Sequence, residues 1–286
     1  MSYMIRFLKK YGLKILGISC ILFIGAILFF LNISMRQSDT DITKSFGKKG
    51  IPCVIRYSPQ GIRYVESGLT SADTAVLYIH GAPGSCDAFF TYMQDSALDR
   101  RYFQVSVDRK GYGYSDYGHS ETSIVNQAGL LQSIIAQYPD KKWILVAHSF
   151  GCAIAAVLAV QNKTLVKKII LLGAAADPKY EKMVSWAKIS NTKLIRKITG
   201  TDIAVATDEK LSHQAELATI EPYWAELDCA VVIMHGTKDN LVPYENVAYL
   251  KQRIKPELFK LHSYEGEGHV FVFMKPELLK YVLLGK

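Results

Sequence analysis

The segment Ala147-His148-Ser149-Phe150-Gly151 sets a serine between small residues two positions before and two after it. An apolar run, 143–146, precedes the segment, and a second apolar stretch, about 151–160, follows it. A strand, a sharp turn and a helix in that order lift a serine hydroxyl above the end of a sheet, and small flanking residues let the turn pass close to its neighbours. Alanine at 147 stands where glycine is more usual and adds one methyl group. A hydroxyl becomes a useful nucleophile only beside a base that takes its proton and a third group that orients the base. His269, in Gly266-Glu267-Gly268-His269, is the candidate base, and Asp239, in His235-Gly236-Thr237-Lys238-Asp239, is the candidate orienting acid. Asp177, in Gly173-Ala174-Ala175-Ala176-Asp177-Pro178, is a second acid from which a histidine could be reached. Attack on a carbonyl also needs donors for the developing oxyanion, and the backbone N–H groups of Ala82 and Phe150 are the candidates. Pro83 has no N–H, and His80, beside a glycine turn, reads as a residue that shapes the loop. The remaining histidines, His119, His148, His213, His235 and His262, have no metal-ligand spacing with acids or cysteines, so no zinc site is indicated.

These groups need a framework that brings residues far apart in the chain to one place. Residues 53–57 and 62–65 read as two strands joined by the turn Ser58-Pro59-Gln60-Gly61. Apolar strands follow at 75–79, 103–107, 143–147, 168–172, 230–234 and 258–263. Helices are predicted over 87–98, over 123–137 with Ile124, Ala128, Leu131 and Ile135 on one face, and over 151–160. Short buried strands alternating with helices predict a mostly parallel sheet covered on both faces. About fifty residues, 179–227, separate two of the central strands and predict an inserted helical cap, because a structureless loop of that length is uncommon in a compact domain. Asp108-Arg109-Lys110-Gly111-Tyr112-Gly113-Tyr114-Ser115 reads as structural: glycines for a tight path, Asp108 and Arg109 to tie loops together.

Residues 15–33 carry no charge and are almost all apolar, and as a helix they would reach about 28 Å, enough to cross a bilayer. The run exceeds a signal-peptide core, and no small-residue cleavage pattern follows it, so an uncleaved anchor over 1–34 is expected, followed by a polar tether, 35–50, and a domain over 51–286. A lipoprotein reading of Gly17-Ile18-Ser19-Cys20 is set aside because the apolar run continues past Cys20. Half of the formal charge of +8 lies in Arg6, Lys9, Lys10 and Lys14, ahead of the span. That bias favours a cytoplasmic N-terminus, with the domain on the periplasmic or extracellular side, although Arg36, Lys44, Lys48 and Lys49 partly offset it. The charge left for the domain is mild and dispersed, which argues against nucleic acid as a partner. The five cysteines form no metal or C-x-x-C pattern and do not identify the compartment.

Taken together, His80-Gly81-Ala82-Pro83-Gly84, the Asp108–Ser115 segment, Ala147-His148-Ser149-Phe150-Gly151, Gly236 with Asp239 and Pro243, and Gly268-His269 resemble the α/β-hydrolase superfamily over nearly all of 51–286. The order Ser, Asp, His is the one that framework imposes. The resemblance implies an eight-stranded sheet, a cap over the site, no cofactor, and hydrolysis of an ester, amide, thioester or activated carbon–carbon bond. Serine at 149, where dehalogenases and epoxide hydrolases carry a carboxylate, points to a carboxylesterase or lipase acting on a small or lipid-like acyl substrate. Two other readings stay open: a serine aminopeptidase whose cap acids Glu181, Glu216 or Glu221 hold an α-amine, and a non-catalytic binding protein on the same scaffold.

Overall fold

The computed structural model describes residues 35–181, 196 and 199–285. The anchor expected over 1–34 and the first part of the expected cap lie outside them. Among the described residues no helix is long and apolar enough to cross a membrane.

Eight strands form one sheet: β1 (Cys53–Tyr57), β2 (Arg63–Gly68), β3 (Thr74–Ile79), β4 (Phe103–Val107), β5 (Lys142–His148), β6 (Val166–Leu172), β7 (Ala230–Gly236) and β8 (Phe259–Tyr264). Their spatial order is β1-β2-β4-β3-β5-β6-β7-β8. The first two pairings, β1 with β2 and β2 with β4, are antiparallel, and all others are parallel. The expected hairpin and mostly parallel sheet are therefore present. Alternation along the strands divides the core in two. Ala75, Leu77 and Ile79 of β3 enter one apolar cluster, and Val76 and Tyr78 enter the other. Strands buried on both faces read as continuous apolar runs, as 75–79 and 143–147 do.

The first cluster lies under α2 (Ile124–Ile135) and α3 (Gly151–Gln161), the latter with nine consecutive buried residues, Gly151 to Ala159. The second lies under the C-terminal helix and α1 (Asp39–Gly47). The structure corrects the tether reading of 35–50 here. Ser38 caps α1 by accepting from Asp41 N, and Ile42 and Phe46 are buried at the i, i+4 spacing of a packed face. Phe46 meets Phe90 edge to face at 5.0 Å. Two apolar residues in a polar stretch were too few to register as a pattern. The helix predicted over 87–98 is broken into three short turns, Cys86–Phe89, Phe90–Met93 and Ser96–Asp99, the last restarted where the Asp95 carboxylate accepts from Ala97 N and Leu98 N.

Between β6 and β7 the described part of the cap comprises α4 (Thr201–Thr219) and α5 (Glu221–Glu226). Leu217, Ile220 and Trp224 extend the first core cluster into it. Strand β3 sits between β4 and β5, so successive connections depart to opposite sides there, and the loops after β3 and β5 part to leave a crevice at their C-terminal ends.

Candidate active site

Ser149 follows β5 directly and has φ +53°, one of two non-glycine residues with positive φ among those described. That region costs a side chain of order 1–3 kcal/mol and persists only where the surroundings enforce it. Here they do: Ser149 N donates to Leu172 O of β6 at 2.9 Å, and its carbonyl accepts from Cys152 N in the first turn of α3. A Cβ on Gly151 would come within 2.7 Å of His80 O and 2.8 Å of Ile79 O, so glycine is required two residues after the serine. Ala147, two residues before it, is fully buried in the apolar core and its methyl group is accommodated.

His269 Nδ1 and Asp239 Oδ2 are 2.6 Å apart. Asp239 Oδ1 accepts from Leu241 N at 2.9 Å and from Val242 N at 2.8 Å, which fixes the carboxylate as the chain turns after β7. Burial opposes its ionisation, but the hydrogen bond and charge of His269 and the Val242 N–H outweigh burial and hold its pKa below the usual carboxylate value. Gly173, at the end of β6 with φ +56°, passes beneath the pair: a Cβ there would lie 3.1 Å from His269 Nδ1 and 3.4 Å from Asp239 Oδ2. Asp177 is engaged elsewhere. Its Oδ1 accepts from Lys179 N at 2.8 Å, and its own N–H donates to Asn246. Of the two candidate acids, Asp239 is therefore the one placed against the histidine.

Ser149 and His269 line one cavity of about 410 Å³, together with Gly81, Ala82, Pro83, His148 and Phe150. That size suits a small-molecule ligand. A wider depression of about 800 Å³ lies outside the Asp239 turn, between Thr237 and Lys251, and reaches neither the serine nor the histidine. No hydrogen bond joins the Ser149 hydroxyl to His269 among the described residues; such contacts often tighten only around substrate. The Ala82 and Phe150 amides donate to no backbone carbonyl in the loops and turns described, and both residues border the cavity.

The loop after β3 is held from behind. Arg109 N donates to His80 Nε2 at 3.0 Å, so the His80 proton sits on Nδ1, 2.7 Å from Gly81 O. Burial first, then the Arg109 charge, keeps the His80 pKa far below its ordinary value and the ring neutral. The buried Arg109 guanidinium donates to His80 O at 3.0 Å, Gly81 O at 2.9 Å and Gln127 Oε1 at 2.6 Å. It also forks onto Glu209 of α4, with Nη1–Oε1 2.5 Å and Nη2–Oε2 3.1 Å. Tyr112 and Gln127 complete the carboxylate's shell. One salt bridge thus ties the cap to the loop that carries Ala82. Asp108 plays the matching structural part, pairing with the buried Arg63 at 3.0 Å and accepting from Cys86 N at 2.8 Å.

Beyond Glu181, the sequence gives no place in the site to four residues, His148, Glu209, Lys210 and His213. His148 lies 4.7 Å from the His269 ring, and its Nε2 is 3.2 Å from His269 O. Burial, then the His269 charge, lowers its pKa to about 3, so it is a neutral donor that holds the His269 loop. Glu181, Lys210 and His213 line the cap side of the cavity with Glu209 behind them. Nothing local marks Glu209, Lys210 and His213: a cap helix is amphipathic whatever its polar residues meet. Among the described residues no group of three or more His, Cys, Asp or Glu could hold a metal ion.

The chain matches the family model of the alpha/beta hydrolase fold over residues 74–195. It is 33% identical over 115 residues to "Probable lysophospholipase BODYGUARD 1" of Arabidopsis thaliana, a match covering 38% of this chain and 24% of that protein. It is 23% identical over 242 residues to "Protein ABHD8" of Homo sapiens, covering 74% of this chain and 54% of that protein. The chain thus spans a quarter to about half the length of these relatives. A solved membrane phospholipase A, described as a bacterial virulence factor, superposes with a TM-score of 0.65 at 18% identity, covering 98% of this chain and 97% of that one. Likeness at that identity shows the fold.

Proposed function

Because the chain belongs to the α/β-hydrolase superfamily, we propose that it is a serine esterase that acts through an acyl-enzyme, on a small or lipid-like acyl ester. The observation that carries the reading is Ser149, held at φ +53° in the same cavity as a histidine bonded at 2.6 Å to a buried aspartate. His269 Nε2 takes the Ser149 proton as Oγ attacks the ester carbonyl carbon. The oxyanion that forms accepts from Ala82 and Phe150 N–H, and collapse expels the alcohol, which receives the proton from His269. Water, deprotonated by the same imidazole, then releases the acid and restores Ser149. Asp239 keeps the proton of neutral His269 on Nδ1 and stabilises the imidazolium.

The mainly apolar cavity wall and the lysophospholipase and phospholipase descriptions of similar proteins favour a lipid-like acyl chain. The aminopeptidase reading finds little support, because each acid offered for an α-amine is already engaged. Glu181 pairs with Lys210, Glu216 accepts from Ile124 N, and Glu221 pairs with Arg253. A binding protein would have no need of the serine, histidine and aspartate together. We further propose that 1–34 anchors the chain, with the domain on the extracytoplasmic side. Met35, the first described residue, is held by Ser85 and Asp202, between the loop after β3 and the cap.

A fluorophosphonate probe tests the chemistry: the wild type is labelled, and Ser149→Ala is not. Equal labelling of both, or none of the wild type, would end the proposal. A p-nitrophenyl ester series against aminoacyl-arylamides separates esterase from peptidase. Protease accessibility in sealed membrane vesicles tests the orientation.

A further inference from the structure

Ala206, Lys210 and His213 succeed one another at i, i+4 and i+7 along α4 and all line the cavity, so one face of the cap helix forms its roof. Glu181, on the approach to the cap, also lines it and meets both polar groups of that face. Lys210 Nζ pairs with Glu181 Oε1, and His213 Nδ1 lies 3.1 Å from the same oxygen. Burial alone would raise the Glu181 pKa, but the His213 hydrogen bond and the charges of His213 and Lys210 outweigh burial and lower it, so the carboxylate is ionised. The His213 ring stacks on Phe150, with centroids 4.4 Å apart and planes at 29°, beside one of the two amides assigned to the oxyanion. His213 is 3% exposed, and its buried Nε2 has no hydrogen-bond partner among the described residues. A buried polar atom left unpaired costs about 1–3 kcal/mol. In a cavity wall, a ligand can supply the missing partner.

Apart from Ser149, His148 and His269, which are already assigned, the other lining residues are uncharged. We propose that Lys210 and His213, both held by Glu181, form a subsite for an anionic oxygen group of the substrate, a carboxylate or a phosphate. The proposal rests on the esterase reading of the same cavity. Lys210 has three N–H donors and spends at least one on Glu181, which leaves capacity for a ligand oxygen. His213 gives its Nδ1 proton to Glu181, and its Nε2, unpartnered among the described residues, is the second polar atom offered to the incoming group. Lys210 supplies the positive charge that meets the incoming anion. The ester acted on would then carry its anion within one cavity's reach of the scissile carbonyl, either at the far end of a short acyl chain or on the alcohol as a phosphorylated headgroup.

The experiment uses the full chain as Ser149→Ala, which removes turnover from the measurement. Butyl phosphate, pentanoate and n-butanol are titrated in by calorimetry, and the titrations are repeated with Lys210→Met, with Lys210→Arg and with His213→Phe added. At least one anion is expected to bind about tenfold or more tightly than butanol, about 1.4 kcal/mol. That preference falls about tenfold with Lys210→Met and with His213→Phe, and is kept with Lys210→Arg. Butyl phosphate ahead of pentanoate assigns the anion to a phosphorylated headgroup, and the reverse order assigns it to the acyl part. No binding of any probe, equal binding of anions and butanol, or a preference that survives Lys210→Met in protein with an unchanged melting curve would overturn the subsite. Fluorophosphonate labelling of the wild type is scored in parallel. Loss of labelling with a retained anion preference removes the esterase reading alone, and the converse removes only the subsite.

Discussion

Replacing Glu209 by alanine should cost far more than an ion pair on the cap surface would suggest, and a control sits in the same molecule. Glu209 is fully buried, and it receives two N–H groups of Arg109, the Tyr112 hydroxyl and the Gln127 amide. Alanine leaves four donors without that acceptor and strands a guanidinium that is itself 1% exposed. Removing one partner of a buried pair costs about 3–5 kcal/mol, because the remaining charge stays desolvated. Glu221 also joins the cap to the body of the domain, through a fork onto Arg253 Nε and Nη2 at 3.0 and 2.6 Å. Its side chain is 46% exposed, and water takes over when the pair is broken, so Glu221→Ala should cost under about 1 kcal/mol. Urea unfolding of both variants and the wild type measures the two losses. For a domain near this size, the Glu209→Ala loss corresponds to a melting point lower by roughly 10 °C. Arg109 also carries the His80 and Gly81 carbonyls, so slack there should lower kcat in addition. Equal costs for the two variants, or a Glu209→Ala cost below about 1 kcal/mol, would refute the claim that burial decides the value of these contacts.

Three further outcomes are expected. Asp239→Asn should lower kcat by about 10⁴ by misplacing the Nδ1 proton of His269, while Asp177→Asn stays within a few fold of wild type; a large effect at Asp177 would reverse the assignment. His148, at about 3, and His80 both titrate below the ordinary value of 6.5 in the folded state, so the unfolded chain takes up protons that the folded one refuses. Their contribution is present above pH 6.5 and is lost as the pH falls towards 3, at up to about 1.4 kcal/mol per pH unit for each histidine; urea midpoints between pH 7 and 4 should show the decline, less steep in His148→Gln. Phe46→Ala should destabilise the domain by about 3–5 kcal/mol, and a change below 1 kcal/mol in chemical unfolding would mean that α1 is only loosely attached.

The features legible in the sequence share a physical origin. Strands β3 and β5 are buried on both faces, which demands unbroken apolar runs, and the turn around Ser149 demands small residues because backbone passes within van der Waals distance of Gly151. Such demands act on consecutive positions, so they are written in consecutive letters. They were enough for the sheet, the elbow and the ordering of Ser149, Asp239 and His269 along the chain. The helix over 39–47 went unread because its pattern amounts to Ile42 and Phe46 alone, and the helix predicted over 87–98 did not foresee the fresh cap at Asp95.

Partner choice between distant residues belongs to the tertiary structure. Asp239 and Asp177 both follow a strand near its C-terminal end, and only the packing of the loops shows that one meets His269 at 2.6 Å while the other caps a turn. Arg109 carries no sign in the chain that its carboxylate lies 100 residues away on the cap. Nor does Glu181 show that Lys210 and His213 already occupy it. Ser149 was readable from its immediate neighbours because strain and close packing are local. The charges around it were not, because an ion pair depends on distance in space and leaves no periodic mark in the sequence.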